Sequence, residues 1–382
     1  MGESFSTHLR RAVRLAALVA AVTLLAAACQ TTSNGGGGGG GSSGGGEKKI
    51  ALLLPESKTT RYEAQDRPQF DARVKQLCPD CQILYSNANQ QADQQQNQAD
   101  AALTNGAKVM VLDPVDSASA ASIVSKAKAQ NVPVVSYDRL ITGADIDYYI
   151  SFDNVQVGKL QAQSLVDKLK KDGKNGSIVM INGAPTDNNA KLFKQGAHSV
   201  LDSSGFKIGK EYDTPDWSPD QAQNEMEQAI TALGKDSFVG VYAANDGTAG
   251  GAIAAMKGAG INPSTRPVTG QDAELAAVQR VLAGELYMTV YKAYKPEAEQ
   301  AAELAVNLVN GNKSAADGLA KDKTNNGQKD VPSIILTPIA VTKESAKETV
   351  GKMVSDGFLK ADQICTGAYA AACTKLGLDA GA

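Results

Sequence analysis

From residue 47 onward the chain alternates short apolar runs, bounded by turn residues, with longer stretches whose apolar positions recur at helical spacing. Runs at 50–54, 83–85, 109–112 and 132–135 read as strands, and 67–77 reads as a helix between the first two. Near-continuous apolar strands suit a parallel sheet covered on both faces, because neither face is left for polar residues to meet water. A second series begins at 148–151 and continues at 178–181, 238–242, 267–269 and 288–291, with helices at 221–233 and 249–258. Beyond it Ala298, Ala301, Ala305 and Leu308 mark one face of a further helix, 333–336 reads as the last strand, and Pro338 marks a bend. Two such alternations predict an α/β protein of two doubly wound parallel-sheet lobes, and no short-period repeat is present. In open sheets of this class ligands gather beyond the carboxyl ends of the strands, so function is expected there.

The first 46 residues break the pattern. Arg10, Arg11 and Arg14 precede an apolar run from 15 to 28, the layout of a secretory leader and too short for a comfortable membrane span. Ala26, Ala27 and Ala28 stand directly before Cys29, which predicts a lipoprotein cleavage site with Cys29 as the lipidated N-terminus. A simple cleaved signal with an incidental cysteine is the alternative reading. The paired Arg10 and Arg11 leave open both the general secretory and the twin-arginine route. The Gly/Ser run at 35–46 cannot bury apolar surface and reads as a flexible tether.

Charge and cysteines narrow the class. The formal charge is −3, and since the leader holds three Arg against one Glu, the remainder is more acidic still, which argues against nucleic acid as a partner. With Cys29 set aside, four cysteines remain, and an oxidising compartment favours local pairs, Cys78 with Cys81 and Cys365 with Cys373, although sequence alone allows three pairings. Cys78-x-x-Cys81 could also be a zinc or redox motif, but the chain has only two His, one of them in the leader. No EF-hand-like acidic loop is present, so no metal and no cofactor is expected.

Reading the polar groups at the expected strand ends gives Arg61 and Tyr62, Asp138 and Arg139, Asp153 and Asn154, the run 187–189, Trp217, Asn245 and Asp246, Gln271 and Asp272, and Lys292. Carboxylates, carboxamides and arginine can make paired hydrogen bonds to adjacent hydroxyls, and aromatic rings can cover the C–H faces of a pyranose. Each residue also has a plainer role. Asp187, Asp246 and Asp272 could cap following helices, and a lone Trp more often packs than stacks. Their accumulation at successive strand ends is what capping does not require.

Longer motifs carry a resemblance. Tyr137-Asp138-Arg139, the stretch DIDYYISFDN at 145–154, DNNAKLF at 187–193, Asn245-Asp246, Gly270-Gln271-Asp272-Ala273, MTVYK at 288–292 and Asn325-Asn326-Gly327 together resemble the periplasmic xylose-binding proteins of ABC importers, within the ribose/galactose type of sugar-binding proteins. The likeness runs from about 49 to 357 and leaves out both cysteine pairs and residues 312–323. It implies a type I periplasmic binding protein, two lobes joined by three crossover strands near 139–143, 272–274 and 336–341. The expected divisions are a leader at 1–28, lipidated Cys29 and tether at 29–46, an N-terminal lobe of 47–139 and 273–332, a C-terminal lobe of 140–272 and 333–364, and a tail at 365–382. It also implies sugar contacts at Arg61, Tyr62, Asp138, Arg139, Asn189, Trp217, Asn245, Asp246, Asp272 and Lys292, with Tyr62 where relatives often carry Trp. The expected partners are a monosaccharide, D-xylose foremost, an ABC permease, and the outer face of the cell membrane through the lipid alone, for a monomer that catalyses nothing.

Four other readings remain to be weighed. Asp246 and Asp272 could flank a glycosidic bond, but lysine and arginine beside them are expected to keep both ionised, whereas hydrolysis needs one proton donor. A sugar-responsive repressor would begin with a basic helix-turn-helix where this chain has a leader and tether. A sugar sensor presenting its ligand to a receptor kinase or chemoreceptor, and a binding protein of broad aldose specificity, share the features above.

Overall fold

A computed structural model describes residues 47–378. The expected leader, Cys29, the tether to residue 46 and the last four residues of the tail lie outside the described residues. Among the described residues no helix is long and apolar enough to cross a membrane.

The first sheet contains β1 (Lys49–Leu54), β2 (Gln82–Asn87), β3 (Val109–Leu112), β4 (Val134–Tyr137) and β5 (Tyr148–Phe152) in the parallel order 2-1-3-4-5. Alternate residues of β1 serve opposite faces: Ile50, Leu52 and Leu54 join one core, Ala51 and Leu53 the other. On the two faces lie α1 (Arg67–Leu77), α2 (Ala92–Thr104) and α3 (Ala121–Ala129). The second lobe repeats the scheme with α4 (Asn154–Lys171), β6 (Ser177–Asn182), α5 (Asn188–Leu201), β7 (Lys207–Asp213), α6 (Pro219–Leu233), β8 (Phe238–Ala243) and α7 (Asp246–Gly258). Its strands run β7-β6-β8, and parallel bridges from Val241 to Val268 and from Thr269 to Met288 carry the order on to β9 (Met288–Tyr291). Helix α8 (Leu275–Ala283) packs Ala277 and Val281 against Val241 and Val268.

Strand pairing moves two of the three expected crossings. β5 pairs with β4 and with β11 (Asp330–Leu336), while β10 (Asp322–Asn325) closes the edge antiparallel to β11, so 140–152 and 333–336 belong with the first sheet rather than the second lobe. β9 pairs with β12 (Ile339–Thr342), so 273–291 belongs with the second lobe. The chain therefore passes between lobes after Phe152, between Tyr291 and helix α9 (Tyr294–Val309), and between Leu336 and Ile339. The resemblance implied the first two crossings near 139–143 and 272–274, but those residues follow strand ends where the chain has not yet left its lobe.

The four cysteines are joined as Cys78–Cys81, at the end of α1, and Cys365–Cys373, within C-terminal helices that pack on α8. Three strands went unread in the sequence. β7 (KIGKEYD) and β10 (DKTN) are edge strands whose mostly polar residues stay half-exposed or exposed, and β12 has only four residues. At 267–269 an isolated bridge stands where a strand was expected.

Candidate functional site

In each lobe the strand order reverses beside the first strand, between β1 and β3 and between β6 and β8, and the carboxyl ends of both sheets face one small cavity. Doubly wound sheets place ligands at such reversals. Nine of the ten expected contacts line it: Arg61, Tyr62, Asp138, Arg139, Asn189, Trp217, Asn245, Asp272 and Lys292. Thr59, Asp187, Phe193 and Gln271 complete the wall.

Arg61 and Tyr62 enter on a single π-helical turn, Tyr62–Asp66, that runs straight into α1. The Arg61 guanidinium is gripped by Asp66 (Nη2 to Oδ1 2.6 Å, Nε to Oδ2 2.9 Å), by Glu297 of α9 (2.7 Å) and by Asp138 (3.1 Å), and it lies 3.8 Å from the centre of the Tyr294 ring. Burial opposes its charge, yet Asp138, Asp66 and Glu297 outweigh that cost and hold it charged. Glu297 is pushed well above the usual carboxylate range, by burial first and then by the neighbouring carboxylates. Tyr62 uses its hydroxyl to donate to Asp138 (3.1 Å) and to accept from Arg139 (3.2 Å), so it is a hydrogen-bonded strut that both donates and accepts, where a Trp could only donate.

Arg139 reaches the second lobe, with its Nε 3.0 Å from Asp187 Oδ2. Asp113 and Glu56 stand behind it at 3.6 and 3.8 Å. Burial pushes the carboxyls of Asp113 and Asp187 upward against the pull of Arg139. Lys292 lies on the crossing after β9, with Asp272 at 3.2 Å and Asp138 at 3.9 Å. Burial alone would raise Asp138, but Arg61, Lys292 and Arg139 overcome it and lower the carboxyl to about 2.

The second lobe supplies the aromatic wall. Trp217 donates its indole N–H to Asp187 at 3.0 Å and meets Phe193 edge to face, ring centres 6.3 Å apart. Its ring lies directly over Gly183, where a Cβ would fall 2.0 Å from the ring, so only glycine at the end of β6 leaves room. Asn189 and Phe193, four residues apart, share one face of α5. Asn189 donates to the Asp138 carbonyl at 3.1 Å and accepts from Asn154 at 2.9 Å, while the N–H of Asn188 instead donates to Ser117 on the rim. Several site carriers have left-handed backbone, namely Asp138 (φ 54°), Trp217 (φ 53°) and Asp272 (φ 108°), a strain that only a well-determined site sustains.

Asp246 does not line the cavity. Its carboxylate is occupied, accepting the Glu274 N–H at 2.9 Å and the Thr289 hydroxyl at 2.8 Å. Burial, then Glu274 and Asp272, push it well above the usual carboxylate range, contrary to the expectation that lysine and arginine would keep it ionised. It ties the start of α8 to β9 rather than contacting a ligand, while Asn245, not Asp246, caps α7, which leaves no carboxylate pair flanking the cavity at 246 and 272. Of the wall residues outside the ten, Asp187 and Gln271 stand in motifs the sequence singled out, and Phe193 is marked by its spacing from Asn189. Of the carboxylates behind the arginines, Glu56, Asp113 and Glu297 carry no local signal, because the arginines they face are distant in sequence, whereas Asp66 stands five residues from Arg61.

Residues 50–313 match the family model of a periplasmic binding protein domain. The D-xylose-binding periplasmic protein of Escherichia coli (strain K12) is 38% identical over 319 residues, covering 82% of this chain and 92% of that protein. The multiple sugar-binding periplasmic receptor ChvE of Rhizobium radiobacter is 36% identical over 292 residues, covering 71% and 80%. Among solved structures, a carbohydrate transporter solute binding protein from Chloroflexus aurantiacus in complex with D-glucose superposes with a TM-score of 0.73 at 29% identity, over 83% of this chain and 98% of that one. Two doubly wound lobes about a polar cavity, and matches spanning most of the chain, agree: this chain belongs to the periplasmic binding proteins, a family that binds solutes rather than transforming them, and has their type I fold.

Proposed function

We propose that the chain captures a monosaccharide, D-xylose foremost, and delivers it to an ABC permease from the outer face of the cell membrane, where a lipid on Cys29 anchors it as a monomer. The observation that carries this reading is the pairing of planar, charge-assisted hydrogen-bonding groups with an aromatic wall in one small cavity. Arg61 with Asp138, Arg139 with Asp187 and Lys292 with Asp272 hold one another in place, so donors and acceptors are preorganised for adjacent hydroxyls. The Oε1 of Gln271, buried in the wall, has no protein hydrogen-bond partner, and a sugar hydroxyl would satisfy it. Trp217 and Phe193 offer apolar surface to the C–H face of a ring.

Sugar would bind one lobe and the lobes would then close about the three crossings, since a ligand favours the closed state only through contacts it gains there. The 38% identity to a D-xylose-binding protein puts xylose first. The 36% identity to a multiple sugar-binding receptor favours a second reading, a broad-specificity aldose receptor that also reports to a sensor. Calorimetric titration of the sugar-stripped protein with xylose, glucose, arabinose, ribose and galactose separates them. Tight binding confined to xylose supports import of that sugar, comparable binding of several aldoses supports the receptor, and no binding refutes both.

A further inference from the structure

The segment 55–60, between β1 and Arg61, is shaped from within by Glu56, whose carboxylate accepts the N–H groups of Lys58 and Thr59. Its far end is held by the other lobe: the Thr60 N–H donates to Glu274 Oε1 at 3.0 Å. Glu274 directly precedes α8, and its own N–H is fixed by Asp246, which is fixed in turn by Thr289 of β9. Gly270 makes that arrangement possible, because a Cβ there would fall 2.2 Å from the Asp246 carboxylate. A continuous chain of contacts thus runs from β9 and α7 of the second lobe to the loop that carries Thr59 and leads into Arg61 and Tyr62 of the first. Glu274 is not part of the cavity wall.

We propose that Glu274 is a positioning residue, a cross-cleft latch that fastens the 55–60 loop to the second lobe and so brings Thr59, Arg61 and Tyr62 over the bound sugar. The inference rests on the sugar-binding reading above. It also links closure to protons. Asp272 and Asp246 face Glu274 from its own lobe and Glu56 from the other, while Arg61 and Lys360 line the groove it shares with Thr60. Burial, then Asp272, push the Glu274 carboxyl up to about 7, against the pull of the Thr60 N–H. In an open cleft water would return it to the ordinary glutamate value of about 4.3. A carboxyl held higher in the closed state takes up a proton on closing between those two values, so closure is favoured as pH falls, and affinity declines as pH rises through about 7. The protonated group still accepts the Thr60 N–H through its carbonyl oxygen, so the latch survives protonation.

The test is calorimetry of D-xylose binding to the full chain at pH 6, in two buffers of different ionisation enthalpy, for wild type, Glu274→Ala and Glu274→Gln. Wild type is expected to take up protons with sugar and to bind more weakly at pH 8. Glu274→Ala should bind about threefold to tenfold more weakly than Glu274→Gln at pH 6, the loss of one hydrogen bond, with most of the wild-type proton uptake gone. Glu274→Gln keeps an acceptor and has no charge to lose on closing, so it should bind at least as tightly as wild type at pH 6, also with that uptake gone. Equal affinity of the two variants, or undiminished proton uptake in Glu274→Ala, would overturn the latch. If wild type binds no aldose, the sugar reading fails instead, and exchange of the Thr60 amide decides the latch alone: loss of protection in Glu274→Ala supports it, and equal exchange overturns it.

Discussion

At Asp138 burial and charge pull in opposite directions, and the magnitudes decide for charge: three cations and the Tyr62 hydroxyl hold its carboxyl at about 2. A group lowered on folding stabilises the fold above its ordinary value of about 3.9, and that contribution is lost as pH falls towards its folded value. A displacement of this size is worth on the order of 2 kcal/mol. Thermal unfolding of wild type is therefore expected to weaken between about pH 4 and pH 2, and Asp138→Asn should show a shallower loss over that window from a lower starting point. Equal slopes in the two proteins would mean that Asp138 is not held ionised by its neighbours. The same residue shows what a sequence conceals. Asp138 and Arg139 stand out in the motif Tyr137-Asp138-Arg139, but Glu297, which shares Arg61 with Asp138, lies on a helix more than a hundred residues further on.

Elements built from strong periodicity were legible, and those built from context were not. Helix α1 spans Arg67–Leu77, as its spacing indicates, and β1, β3 and β9 lie on their apolar runs. Edge strands such as β7 meet water along one side, need few apolar residues, and so gave no run to read. The positions of the crossings were also hidden, because which sheet accepts a strand depends on partners such as β11, which lies far from β5 in sequence. The close fit of the β6 end to the Trp217 ring belongs to this scale as well. Gly183→Ala would push a methyl into that ring, so the indole must leave the cavity wall or the strand end must shift. D-xylose binding should fall at least about tenfold, a cost of the size that overpacking a close fit usually carries, with the far-ultraviolet circular dichroism of wild type retained. Unchanged affinity would show that the ring position does not matter to the ligand.

Over the whole molecule the described chain is two similar lobes whose contact across the cavity is carried by buried charged pairs, Arg139 with Asp187 and Lys292 with Asp138, and by Asn189 on the Asp138 carbonyl. Charged groups 2–3% exposed on facing walls would each be costly if left unpaired, and pairing across the cavity is what lets them be buried. The C-terminal helices, with Cys365–Cys373, pack beside the crossings through Phe358 against Tyr291 and Tyr294, bracing the region about which the lobes would move. Trp217, the sole Trp of the chain, stands in the cavity wall, so its emission reports directly on what enters the site. Titrating that fluorescence with D-xylose is the most direct measurement. The account predicts a saturable one-site change in wild type that Asp272→Ala shifts at least about tenfold to higher sugar, since an unpaired buried hydrogen-bonding group costs about 1–3 kcal/mol. A folded protein whose Trp217 emission does not respond to D-xylose or to any other aldose would contradict it.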